Sequence, residues 1–138
     1  MSVAHATCER AIILAALGGD GQLALMMLKE AGYDGIITRS LPELCAELEN
    51  GAGLLLISSE ALLGSDLEPL FSLIEEQPAW SDLPIVLMTY HGGPEQNPAS
   101  RFGPQLGNVT FLERPFHPVT LISLVTTALR GRRRQYEA

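Results

Sequence analysis

Four short stretches of this chain hold side chains with chemistry to offer. Ser58, Ser59 and Glu60 follow the apolar run GLLLI, and Gly18-Gly19-Asp20-Gly21 follows AIILAAL. Thr89, Tyr90 and His91 follow PIVLM, and Glu113, Arg114 and Pro115 follow VTFL. A serine, a histidine and a carboxylate are the parts of a nucleophilic triad, and Ser58 or Ser59 with His91 and Asp20 or Glu60 would supply them. The G-x-S-x-G turn that exposes such a serine is absent, and the histidine would be expected from a loop later in the chain. Glycines between a strand and a helix can cradle phosphate, yet ALGGDGQLAL has neither G-x-G-x-x-G nor the lysine of a P-loop. It reads as a tight turn. His5, His91 and His117 lack metal-ligand spacing, and His117, ahead of Pro118, reads as a helix cap. The two cysteines, Cys8 and Cys45, support neither a disulfide framework nor a thiolate metal site. Cys45 reads as a small buried hydrophobe. No catalytic residue, metal or cofactor is expected.

The elements that must hold these stretches are legible from apolar periodicity. AIILAAL (11–17), GIIT (35–38), LLLI (54–57), PIVLMT (84–89) and VTFL (109–112) read as five strands. Between them lie amphipathic helices. QLALMMLKEAG carries Leu23, Met26, Met27 and Ala31 on one face and stops at Gly32. The next helix is capped by Ser40 with Glu43 completing the box, and its stripe is Leu41, Leu44, Cys45 and Leu48. A third, capped by Ser65 or Asp66, turns Leu67, Leu70, Phe71 and Ile74 inward and ends by Pro78, with Trp80 covering the sheet edge. The Gly- and Pro-rich stretch 90–107 allows only a short helix near 98–106. The last helix starts near Pro118 and carries Leu121, Leu124, Val125, Ala128 and Leu129.

Strands apolar on both faces, alternating with amphipathic helices, imply a parallel sheet covered on both sides. The expectation is an α/β, three-layer, doubly wound domain with five strands in the order 2-1-3-4-5. In such a sheet the ends of strands 1, 3, 4 and 5 converge, so the four stretches meet in one crevice.

Bulk properties narrow the function classes. The chain has 138 residues, 46% hydrophobic and 18% charged, which suits one globular domain. No apolar run reaches the roughly 18 residues a membrane span needs, and no signal peptide is evident, so no membrane association and a cytoplasmic location are expected. The net charge is −7. Arg130, Arg132, Arg133 and Arg134 crowd the end, leaving 5 basic and 15 acidic residues in 1–129. A body that acidic repels nucleic acid, and the arginine tail reads as a solvated helix end.

The arrangement of residues 10–130 resembles the receiver domain of two-component signalling, a flavodoxin-like fold. PIVLMT ends in Thr89, where the family has Thr or Ser. FLERPF puts Arg114-Pro115 where the family has Lys-Pro and keeps the following Phe116. The resemblance implies a cis bond before Pro115. It also implies a phosphorylation site with magnesium-binding acids after strand 1 and an acceptor aspartate ending strand 3. Here Ser58 stands at the acceptor position, or Ser59 if the register slips by one, and Asp20 is what remains of the acidic pair. Serine gives the metal no charge and the phosphoryl group no carboxylate, and Arg114 is not the compact point charge of a lysine.

The resemblance therefore implies a non-enzymatic, phosphorylation-independent receiver-like domain with a degenerate site at Asp20, Ser58, Ser59, Glu60, Thr89, Arg114 and Pro115. Arg114 is expected to pair with Glu60 or Asp20. Three segments follow: a tail at 1–9, the domain at 10–130 and a helical connector at 131–138. The expected role is regulation or dimerisation within a sensor histidine kinase, with protein partners and a homodimer through Leu121, Leu124, Val125, Ala128 and Leu129. The alternatives are a true phosphoacceptor with an unusual residue and a small nucleotide- or flavin-binding protein.

Overall fold

The structure is a computed structural model, and it describes residues 8–15, 19–63, 65–90 and 104–138. Five parallel strands form one sheet: β1 (Ala11–Leu14), β2 (Gly35–Thr38), β3 (Leu54–Ser58), β4 (Ile85–Tyr90) and β5 (Val109–Arg114). Their order is β2-β1-β3-β4-β5, all pairs parallel. This is the doubly wound topology the alternating pattern predicts.

Successive side chains of a strand point to opposite faces, and the central strands are apolar on both. Ile12, Leu14, Leu55, Ile57, Ile85 and Leu87 face one layer, filled by α2 (Leu41–Leu48) and α3 (Glu68–Glu75) through Leu41, Leu44, Leu67 and Leu70. Ala11, Ile13, Leu54, Leu56, Val86 and Met88 face the other, filled by α1 (Asp20–Glu30) and α4 (Pro118–Glu137). Two cores thus share one sheet. β3 starts where two backbones nearly touch: a Cβ on Gly53 would lie 2.6 Å from the Glu9 carbonyl carbon, so only glycine fits.

Several local expectations change. On α1 the buried positions are Gly21, Ala24 and Leu28, whereas Leu23 is 52% and Met26 60% exposed. The helix presses its small residues on the sheet. A Cβ on Gly21 would already meet Ala15 at 3.5 Å and Ile13 at 3.7 Å, so no bulky side chain fits that seam. The stripe of α2 is as read, with Leu41 and Leu44 buried and Cys45 and Leu48 packed against the same core. Ser40 Oγ accepts from the Glu43 amide, but the Glu43 carboxylate accepts from Arg39 N rather than Ser40 N. At α3 neither Ser65 nor Asp66 is the capping residue. Leu67 stands there and is buried, while the Asp66 carboxylate accepts from Glu68 N at 3.2 Å.

Residues 104–106 are helical, and the remainder of the helix expected near 98–106 lies outside the described residues, as do the last two residues of the AIILAAL run and His91. The His117 ring caps α4 by accepting from Val119 N at 3.1 Å. α4 then runs unbroken through Gly131 to Glu137. The expected connector, 131–138, is thus continuous with the last helix of the domain. Arg132, at 6% exposure, is among the buried residues rather than on a solvated tail.

Candidate functional site

The carboxyl ends of β1, β3, β4 and β5 meet in a crevice because parallel strands all end on the same side. β5 ends in Arg114, whose peptide bond to Pro115 is cis. From there the guanidinium reaches two other loops. Nη1 donates to Asp20 Oδ2 at 2.9 Å, at the start of α1. Nη2 contacts both carboxylate oxygens of Glu60, at 2.7 and 2.5 Å, in the 3-10 turn Ser59–Leu62 after β3. Nε donates to the Thr89 carbonyl at 3.4 Å. Both expected carboxylates are engaged at once, and the guanidinium fork suits this because it donates in several directions within one plane.

The hydroxyl-bearing residues at these strand ends are all buried. Ser58 is fully buried, and Ser59 and Thr89 are buried at 3% exposure. Ser59 Oγ donates to Glu60 Oε2 at 3.2 Å. Asp20, Glu60 and Arg114 together carry a net charge of −1, against −2 for the acids alone. The guanidinium relieves the repulsion two neighbouring carboxylates would feel. It also uses the lone pairs a base would need, so Glu60 is poorly placed to activate Ser59.

A divalent cation does not fit these residues. Magnesium takes near-octahedral oxygen coordination, using carboxylates and water. Here both carboxylates already hold Arg114, and among the described residues no group of three His, Cys, Asp or Glu side chains could hold a metal ion. Beside the ion pairs lies a cleft of about 350 Å³ whose wall includes Leu23, Met27, Met88 and Phe116 as well as Asp20 and Arg114.

The proposed contact residues of α4 fall differently. Leu121, Val125 and Leu129 are buried in the domain's own core at 0%, 0% and 3% exposure, so they are not free to meet a second chain. α4 must cover the sheet, and these three positions are spent there. Leu124 and Ala128 are partly buried against the same core.

One cluster escaped the sequence reading. At the opposite end of the sheet Arg132 lies against the rings of Trp80 and Tyr136, at 5.7 and 4.9 Å from their centroids. Its Nε donates to the Ala52 carbonyl at 3.2 Å and its Nη1 to Ser81 Oγ at 2.7 Å. Trp80 thus packs against the end of α4. A spacing of four between Arg132 and Tyr136 on a helix, together with the only tryptophan in the chain, was the available signal.

No protein-family model matches the sequence, and no curated protein sequence does. Solved structures match over nearly the whole chain. A CheY-like response regulator receiver domain from Methanospirillum hungatei aligns at a TM-score of 0.73 and 17% identity, covering 93% of this chain and 98% of its own. The signal receiver domain of a histidine kinase from Syntrophus aciditrophicus aligns at 0.71 and 21% identity, covering 90% and 92%. The chemotaxis protein CheY4 of Vibrio cholerae aligns at 0.71 and 18%, covering 88% and 99%. Among the described residues no helix is long and apolar enough to cross a membrane. The chain thus has the receiver fold, with Arg114 clasped between Asp20 and Glu60 in its crevice.

Proposed function

We propose that this chain is a receiver-like signalling module that works without phosphorylation, through contacts with other proteins of a two-component pathway. One observation carries the reading: the crevice is closed by a side-chain cation that binds both of its carboxylates. A phosphoacceptor would need a carboxylate nucleophile and a metal, and Ser58 and Ser59 are buried hydroxyls without either. Incubating the protein with acetyl phosphate and Mg²⁺, then measuring intact mass, tests this. The expected result is an unchanged mass, and a stable phosphoryl adduct on Ser58 or Ser59 would overturn it.

The same proposal makes the domain a non-enzymatic, cytoplasmic regulatory or dimerisation module of a sensor histidine kinase, with a connector beyond the domain. The likeness to a kinase-borne receiver supports it. Self-association would use what α4 and β5 leave accessible, including Leu124, Ala128 and the exposed Phe111 and Val119. Light scattering across a wide concentration range should give twice the mass of one chain. A constant single-chain mass up to near-millimolar concentration would remove the dimer.

A further inference from the structure

The apolar packing of α4 ends at Leu129. Among the described residues, neither core cluster includes a side chain from 131–138. What holds this last stretch is of another kind. Arg132 Nη1 bonds Ser81 Oγ and Gln135 Oε1, each at 2.7 Å, and its Nε bonds the Ala52 carbonyl. Gln135 exchanges two hydrogen bonds with the Asp82 backbone, at 2.8 and 2.9 Å. The Tyr136 hydroxyl donates to the carbonyls of Cys8 and Ala52, and its ring meets Trp80 edge-on at 5.7 Å. Arg133 pairs with Glu9 in the open.

Between the two kinds of packing stands Gly131. It lies inside the helix, and a Cβ there would meet nothing within 4 Å. The glycine is thus not needed for a close approach, and it weakens the helix where the apolar contacts stop. Polar groups released from the cluster regain hydrogen bonds from water, so their net hold is modest compared with buried apolar area. We propose that residues 131–138 form a strap, hinged at Gly131 and held by the Arg132–Trp80–Tyr136 cluster, that opens as one unit while the core stays folded. Opening would bare the Trp80 ring and the cleft of about 260 Å³ beside it, which also contacts Leu48, Leu73 and Leu83. It would also free Arg132 to join Arg130, Arg133 and Arg134 as a basic cluster on an otherwise acidic body. None of the contacts described for this cluster involves Arg114.

Residue-resolved amide hydrogen exchange on the full chain tests it, with emission from Trp80, the only tryptophan, as a second measure. Residues 132–137 should exchange through one shared opening, at least tenfold more often than 121–129. Gly131→Ala should slow that opening about fivefold, as the helix-propensity difference dictates. Arg132→Gln should speed it at least tenfold and shift Trp80 emission to the red, while in low urea the opening of 132–137 should stay nearly constant and that of 121–129 should rise steeply. Exchange that rises smoothly toward Ala138, with no step at Gly131, is ordinary fraying and overturns the strap. So does an opening of 132–137 that rises with urea as steeply as that of 121–129, or an Arg132→Gln variant that fails to fold, since either makes the cluster part of the core. Exchange unaltered by Gly131→Ala overturns the hinge.

Discussion

Two shielded guanidiniums sit at opposite ends of the same sheet and are satisfied in opposite ways. Arg114 is held by charge, between the carboxylates of Asp20 and Glu60. Arg132 has no carboxylate among its contacts described above. It is held by a backbone carbonyl, a hydroxyl, an amide oxygen and two aromatic faces. The first arrangement halves the negative charge of a crevice that its two acids alone would leave doubly negative. The second fastens a helix to the body with groups that could equally well be hydrated. A buried arginine is therefore not one kind of interaction, and its removal should not have one kind of effect.

The largest effect is expected at the ionic end. Arg114→Ala leaves two carboxylates facing each other without a counter-charge and should cost about 2–3 kcal/mol in urea melts. Arg114→Lys should recover less than half, because one ammonium cannot bridge both acids as the fork does. Arg132→Met keeps apolar volume but loses the carbonyl bond and the ring contacts, for a cost of about 1–2 kcal/mol. Salt sharpens the contrast. In 1 M NaCl, where the screening length falls to about 3 Å, the cost of Arg114→Ala should shrink while that of Arg132→Met stays constant. Equal salt responses would erase the distinction between the two ends.

Within the crevice the two acids should separate. Glu60 gives both oxygens to Arg114 at 18% side-chain exposure, and Asp20 gives one at 39%. Glu60→Gln should therefore cost about 1–2 kcal/mol and Asp20→Asn about 0.5 kcal/mol or less. The reverse order in thermal or urea melts would mean that Asp20 is the main counter-charge.

The smallest effect belongs to Tyr136. Burial pushes its phenol above the ordinary value of about 10, outweighing the pull of the Arg132 cation beside it. A phenol raised in the folded state ionises first in the unfolded chain, so its contribution is intact below about pH 10 and lost as pH rises beyond it. Tyr136→Phe should cost about 0.5–1.5 kcal/mol at neutral pH. It should also make the loss of stability above pH 10 shallower than in the parent, as seen in melts over that range.

The contrast between the ends also marks where the sequence could be read. The strands were legible because LLLI, PIVLMT and their counterparts are apolar on both faces, a pattern that only a covered parallel sheet requires. Arg114 with Asp20 and Glu60 was legible because topology alone brings strand ends together. The face of α1 was not, since periodicity weights bulky residues and this helix packs through Gly21 and Ala24. Arg132 was misread for a related reason. Its partners Trp80, Ser81 and Ala52 all lie more than fifty residues away, and a cation–ring contact leaves no local pattern in the chain.

The Tyr136 hydroxyl reaches the carbonyls of both Cys8 and Ala52, so the beginning of β1 and the end of α4 are tied at one point. Tension applied between those two places would load this hydroxyl and the Arg133–Glu9 pair before it reached any strand ladder. Under mechanical load the tie is a fuse: it parts first, at low force, and spares the sheet.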